Sequence, residues 1–353
     1  MYFHFYGFLC HRQGVYTITV TTRAQIITNT RAKTFRRCSR LHFYLYEMGL
    51  DTPHKSIALK LGTAVHHELE DYWMKGVLNQ GIAEKHACEL DVDACKVEAM
   101  MEGYAAYWDP TQYETVAVEK EFRIPLRNPR TNRTSRTYTL SGKIDAIAKK
   151  GDEYFIVEHK TSGLDISEGG QYWQKLFLDE QISIYIYAAQ QLGFPVTSCL
   201  YDVLRKPANR KMATPLDKRK FKKDGKLYAN QRDKDEDKDT YRARILTDIQ
   251  KDPAKYYARG TVTRLQNEID EFMSALWFEA RMMTALRKEN IHPRNSQSCF
   301  DYNRQCDFFD LCCKTSDIDD PRWVRKENIH QELEGETTSE FKKIEKLDFI
   351  AAT

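Results

Sequence analysis

The stretch that most constrains this chain runs from Ser141-Gly142-Lys143-Ile144-Asp145 to Val157-Glu158-His159-Lys160-Thr161. Two runs rich in β-branched and aromatic residues flank Lys150-Gly151-Asp152-Glu153, and Gly-Asp with glycine first suits a two-residue hairpin loop. Counting outward from Lys150 opposite Glu153, Asp145 falls opposite Glu158. Side chains facing each other in this way have Cβ atoms about 5 Å apart, and like charges there are destabilising. Such a pair persists where it is solvated, shares a proton or binds a cation. Strand alternation adds Lys160 to the face of Glu158 and turns His159 to the other side. Two carboxylates with neighbouring backbone oxygens suit Mg²⁺ or Mn²⁺. A lysine beside them can orient a water and stabilise charge at a phosphate. The competing reading is a solvated sheet face with accidental charge pairing.

The rest of the chain frames this hairpin with helices. Apolar spacing predicts a helix from Thr30 to Met48, capped at Asn29/Thr30 and stopped by Gly49. A second is expected over 57–78, with Leu61, Val65, Leu69 and Trp73 on one stripe, and a third over 82–108. Strands are expected at 114–126, 137–148, 153–160 and 196–204. Helices are expected at 171–192, closed by Gly193-Phe194-Pro195, and at 262–288. The run VYTITVTT reads as a short strand or added arm within residues 1–29. Residues 315–353 form a charged tail, expected to be partly helical and peripheral.

Composition narrows the setting. With 54 Lys+Arg against 51 Asp+Glu the net charge is only +3, so any nucleic-acid contact must come from a local patch. Residues 205–226 supply one, with ten Lys or Arg against two Asp, inside a basic insert over 205–240. It reads either as a solvated loop or as a contact for a phosphate backbone. A 41 % hydrophobic content with 12 % aromatics can build a sizeable core. Mean hydropathy is −0.64 and no apolar run is long enough to cross a bilayer, so no membrane association is expected. The apolar first ten residues lack the basic segment and cleavage site of a signal peptide. Nine cysteines, an odd count in a highly charged chain, point to a reducing, cytoplasmic or intracellular viral setting, where clustered thiols are more often metal ligands than disulfides.

Four short motifs then occur in order: Gly62-Thr63-Ala64-Val65-His66, Ser141-Gly142-Lys143-Ile144-Asp145, Val157-Glu158-His159-Lys160-Thr161 and Gln181-Ile182-Ser183-Ile184-Tyr185. Together they resemble the GxxxH, GxxD, (D/E)xKT and QxxxY signatures of the PD-(D/E)XK nuclease superfamily. Within it they resemble the RecB-like group, which includes the CRISPR-associated RecB-like exonucleases and the AddB nuclease domain. The resemblance spans about residues 30 to 313. It implies an α/β, restriction-endonuclease-like core: a central mixed β-sheet flanked by helices, with an N-terminal helical part and a C-terminal cysteine-rich segment, in one domain over 30–313. His66, Asp145, Glu158 and the His159 carbonyl would be ligands of Mg²⁺ or Mn²⁺, and Lys160 would position the attacking water. Gln181 and Tyr185 would contact DNA or support Lys160, and Glu119 is a further support candidate. The implied activity is a DNA exonuclease acting on single-stranded or frayed ends in repair or recombination. The alternatives are a structure-specific endonuclease of the same superfamily and a non-catalytic DNA-binding recombination partner. His66 fits no rival motif: position 70 is Glu, not the second His of a zincin, and no Pro-Cys-x-x-Cys of a zinc deaminase occurs. No phosphate-binding loop of the G-x-x-x-x-G-K-[ST] type is present, so any helicase partner would be a separate protein.

Cys299, Cys306, Cys312 and Cys313 fall close together, while the other five are dispersed. For Cys10 and Cys199 burial is the default reading, and Cys88 and Cys95 read as core or partly exposed thiols. Thiolates suit zinc and iron–sulfur clusters alike. The resembled group holds a structural [4Fe-4S] cluster with one N-terminal and three C-terminal cysteines, which implies Cys38, Cys299, Cys306 and Cys312. Zinc remains the lesser alternative and Cys313 an alternative to Cys312. Six residues, not the family's two, separate Cys299 from Cys306.

Overall fold

The Lys150–Glu153 turn forms as its glycine demands, with Gly151 at φ +60°, and it sets the register of the central hairpin. In this computed structural model, which describes residues 6–11, 14–19, 25–52, 57–78, 91–214, 221–229, 231–330 and 333, contacts divide the chain into two units. One comprises Met1–Asn29 with His54–Ala285, the other Thr30–Pro53 with Leu286–Thr353.

The first unit opens with a hairpin, β1 (Tyr6–His11) against β2 (Gly14–Thr19), and β3 (Gln25–Ile27) follows. Its main sheet joins β3 to β5 (Glu114–Arg127), β6 (Thr134–Lys150), β7 (Glu153–Ser162), β8 (Ser198–Arg205) and β9 (Tyr257–Thr263). β5 runs antiparallel along one edge of β6. On the other edge β3 pairs with Tyr138–Leu140 and β7 with Ala146–Lys150. Residues 141–145, which end in Asp145, lie in the gap between those two partners. β8 is parallel to β7 and β9 antiparallel to β8, so the sheet is mixed. The architecture is the α/β, restriction-endonuclease-like arrangement expected.

Helices α3 (Ile57–Lys75) and α4 (Asp91–Tyr107) pack with α7 (Lys238–Lys251) through Leu61, Val65, Leu69, Met100, Tyr104, Tyr241, Ile245 and Ile249. Leu204 of β8 and Tyr257 of β9 complete this cluster, which lies on the face carrying His159. Helices α5 (Gln171–Phe177) and α6 (Glu180–Gln191) replace the single helix expected at 171–192. The break falls at Asp179, whose side chain accepts from the Gln181 N–H at 3.2 Å and so caps α6 one turn before the tyrosine of its motif. Helix α8 (Gln266–Glu289) begins later than expected because residues 262–263 belong to β9. Among the described residues no helix is long and apolar enough to cross a membrane.

In the second unit the helix expected over 30–48 is interrupted. α1 (Asn29–Arg37) stops at Cys38, which is extended and caps α2 (Ser39–His42), and a π-helical turn covers Phe43–Glu47. β4 (Leu50–Asp51) pairs with β10 (Val324–Arg325), and Leu50, Phe308 and Trp323 form a small core. Residues 315–325 are therefore not peripheral, because the Trp323 ring stacks on Phe308 with centroids 5.1 Å apart. The short helix α9 (Phe309–Cys313) carries the last two cysteines. Cys88 and the helical parts expected over 82–90 and 334–353 lie outside the described residues, as does the side chain of Cys10.

Gly142 shows why its motif begins with glycine: a Cβ there would stand 2.5 Å from Cζ of Phe122. Gly142→Ala is expected to destabilise the protein by about 1–3 kcal/mol, the usual cost of overpacking. Phe122→Leu in the same chain should recover part of that loss in a denaturant titration.

Candidate active site

The register places Asp145 one step beyond the last paired residues, Ala146 and Val157. Freed from the ladder, the backbone N–H of His159 donates to Oδ2 of Asp145 at 2.9 Å. Glu158 is 2 % exposed and Nζ of Lys160 donates to its Oε1. The same ammonium donates to Oε1 of Gln181 at 3.0 Å, and the Gln181 amide donates to the Tyr185 hydroxyl at 2.9 Å. Sequence positions scattered over separate elements thus converge on one point, since His66 from α3 brings Nδ1 to 3.7 Å from Oδ2 of Asp145. Gly62 allows α3 this approach, because a Cβ there would stand 3.2 Å from Oγ1 of Thr161.

The electrostatics are those of a site short of positive charge. Burial, then the charge of Asp145, push the Glu158 carboxyl up to about 7 against the pull of Lys160. Burial alone would lower Lys160, but Glu158 and Asp179 outweigh it and keep the ammonium charged. Burial and the neighbouring His159 hold His66 well below its ordinary range, so its imidazole is neutral with a lone pair to offer. The other oxygen of Glu158, Oε2, is buried with no hydrogen-bond partner. Glu119 lies at the level of Asp145 on the adjacent strand, pairs with Lys143 and has a φ of +48°, strained for a residue with a Cβ.

Among the described residues no three His, Cys, Asp or Glu side chains stand ready-made around one metal position. The donor set nevertheless fits a hard divalent cation. Two carboxylates that repel, an orphaned carboxylate oxygen and a neutral imidazole are what such a cation would satisfy. In the second unit Cys38, Cys299, Cys306 and Cys312 line one cleft with Arg40, Tyr44 and Arg294, whereas Cys313 is exposed and outside it. The Asn295 N–H lies 3.4 Å from Sγ of Cys38, and burial raises the thiols of Cys306 and Cys312. Four sulfurs with two guanidiniums fit a thiolate-bound centre. Cys95 and Cys199 are buried in the first unit.

Residues 27–313 match the family model of the PD-(D/E)XK nuclease superfamily. The chain belongs to that superfamily. Its fold is that of this nuclease family, whose members typically use divalent metals such as Mg²⁺. Among solved structures this nuclease chain is similar to the protein SSO0001, with 11 % identity over 66 % of this chain and 78 % of the other, and a TM-score of 0.24. It is also similar to a phage-related exonuclease from Haemophilus somnus 129PT, with 15 % identity over 72 % and 95 % and a TM-score of 0.28. Both scores are too low for either likeness to bear on fold or function. No curated protein matches the chain.

Sequence reasoning missed a second charged group behind this candidate site. Asp202 interrupts the apolar run of β8, and Arg259 lies on β9, a strand the sequence pattern did not reveal. Their only local signal is a carboxylate inside Cys-Leu-Tyr-Asp-Val-Leu. Described residues of the basic insert are tied down by hydrogen bonds. Glu236 is 3 % exposed, accepts from the Met212 N–H at 2.8 Å and pairs with Arg244, while residues 215–220 lie outside the described ones.

A carboxyl whose folded pKa is raised to about 7 holds a proton that the unfolded chain releases near 4.5. Its contribution to stability is therefore present below pH 4.5 and is lost as pH rises through 7. Asp145→Asn removes the repelling charge, so in chelator-treated protein it should flatten this dependence and raise stability at about pH 7.5 by about 1 kcal/mol. Denaturant midpoints between about pH 5 and pH 8 check the sign.

Proposed function

We propose that the chain is a metal-dependent deoxyribonuclease that hydrolyses phosphodiester bonds, of the RecB-like group, acting as an exonuclease on single-stranded or frayed DNA ends. The observation that carries this reading is the convergence of His66, Asp145, Glu158, Lys160 and Gln181 at the opening between β6 and β7. Their motifs, in that order, support the group assignment and the preference for ends.

His66, Asp145, Glu158 and the His159 carbonyl would hold Mg²⁺ or Mn²⁺, which when bound polarises the scissile phosphate and acidifies a water. Lys160 stays protonated, so it serves as a donor and not as a base. Released in part from Glu158, its ammonium orients the water for in-line attack and stabilises the charge that gathers on the phosphate. Gln181 fixes Lys160 from behind, and Tyr185, kept protonated by burial, fixes Gln181. The phosphorus–oxygen bond to the leaving nucleotide breaks as the water oxygen bonds to phosphorus, and the proton that the water gives up to solvent is balanced by one that ends on the leaving oxygen.

DNA would lie in a cleft of about 430 Å³ whose lining includes Gly163, three residues past Lys160, and four basic side chains against Asp248 and Asp252. The basic four are Arg205, which ends β8, Lys206, Lys251 and Lys255. The latter two lie outside the basic run that the sequence singles out. Cys38, Cys299, Cys306 and Cys312 would hold a structural [4Fe-4S] cluster, with zinc the lesser alternative. A separate helicase or recombination protein would supply unwound ends.

Lys160→Ala is expected to abolish Mg²⁺- or Mn²⁺-dependent degradation of DNA while circular dichroism stays native. Unchanged activity would remove the assigned site, and cleavage of circular single-stranded DNA would replace the exonuclease by an endonuclease. Lys251→Gln with Lys255→Gln should weaken DNA binding and lower the salt slope by about 1 for each phosphate left without its lysine. Anaerobically purified protein should be brown, with iron and sulfide in equal amounts, and Cys38→Ala should lose colour and stability together. Active, colourless, iron-free protein would refute the cluster.

A further inference from the structure

Directly behind the candidate site, three charged residues form a row across three strands. His159 pairs in register with Asp202 of β8, and Asp202 with Arg259 of β9. Asp202 has no exposed surface. Its Oδ1 accepts from Nε of Arg259 at 3.0 Å, and its Oδ2 accepts from the Tyr104 hydroxyl and stands 3.1 Å from Nδ1 of His159. The hydroxyl in turn accepts from Nη2 of Arg259 at 2.9 Å and from the indole N–H of Trp73 at 3.1 Å. Arg259 also donates to Gln112 at 3.2 Å and lies 4.0 Å over the ring of Trp108. Both carboxylate oxygens and all of the hydroxyl's capacity are used, while buried Nδ1 of His159 meets Oδ2 at ion-pair distance and makes no hydrogen bond.

Buried ionic groups seldom add net stability over an apolar core of the same shape, so a buried row of this kind calls for a reason beyond stability. Its position supplies one. The β6–β7 ladder ends at Ala146 and Val157, and from there on no ladder pairing holds the separation of the two strands. The next tie between them is the His159 N–H to Asp145. His159 stands between Glu158 and Lys160 in the chain, so an imidazole held on the far face by the Asp202 charge and the Trp73 ring steadies the backbone that carries both. We propose that Asp202, braced by Arg259 and Tyr104, is a positioning residue that anchors His159 and thereby sets Asp145 and Glu158 at the spacing a divalent cation requires.

This inference rests on the metal-binding reading of the site. Mn²⁺ titration of the DNA-free protein by calorimetry tests it, alongside kcat and KM on a single-stranded oligonucleotide and thermal melting. Asp202→Asn keeps the shape of the side chain and removes its charge. It should weaken Mn²⁺ binding about 10- to 100-fold, the usual effect of losing a supporting residue behind a metal ligand, and lower kcat with KM for DNA unchanged. Tyr104→Phe removes one hydroxyl and no charge, should show a smaller loss of the same kind, and carries the test if Asp202→Asn fails to fold. Folded variants with wild-type Mn²⁺ affinity and kcat would make the row purely structural and overturn the inference. A wild-type protein that binds no Mn²⁺ would instead overturn the metal-binding reading itself.

Discussion

A carboxylate with almost no solvent, Glu158, sits beside a second carboxylate, Asp145, where two strands part company. Much of the first unit's arrangement follows from making that tolerable. Lys160 returns on the same strand face to neutralise Glu158, Gln181 holds Lys160, and Asp145 takes the one backbone donor that the ended ladder releases. The pair keeps one oxygen unsatisfied and a raised proton affinity. A fold selected for stability alone would replace these groups with apolar ones. Their presence is what the proposed metal-dependent reading of the site accounts for.

Strand β7 works on both of its faces. Glu158 and Lys160 meet α6 on one side, and on the other Val157 and His159 meet the layer of α3 and α4. Helix α3 serves both sides, with His66 reaching Asp145 and Trp73 reaching the hydroxyl that clamps Asp202. That double duty explains the glycine at position 62, whose missing side chain lets the helix lie against Thr161.

Much of this was legible in the sequence, because it follows from local rules. The Gly151-Asp152 turn predicts the pairing that brings Asp145 level with Glu158, and alternation places Lys160 beside Glu158. The first three motif-bearing elements stand where the sequence pattern puts them, and the fourth lies on the second half of a helix expected to be continuous. What escaped is what depends on partners distant in sequence. β9 has a mixed pattern, Tyr-Ala-Arg-Gly-Thr-Val-Thr, that no period singles out, and α7 hides behind the charged run before it. Asp179 looks like an ordinary helical residue until its cap on Gln181 splits one helix into two.

The sequence by itself determined the order of reactive groups along each strand, their alternation between faces and the turn that sets them level, since these arise from backbone geometry within a few residues. It likewise supplied four cysteines at the two ends of one unit. Only the tertiary structure decided that β8 lies parallel beside β7 and β9 beyond it. That pairing alone brings Asp202 and Arg259 to His159, from positions far along the chain. Strand neighbours are chosen by the burial of whole faces and by the helices that cover them, and no local period encodes that choice.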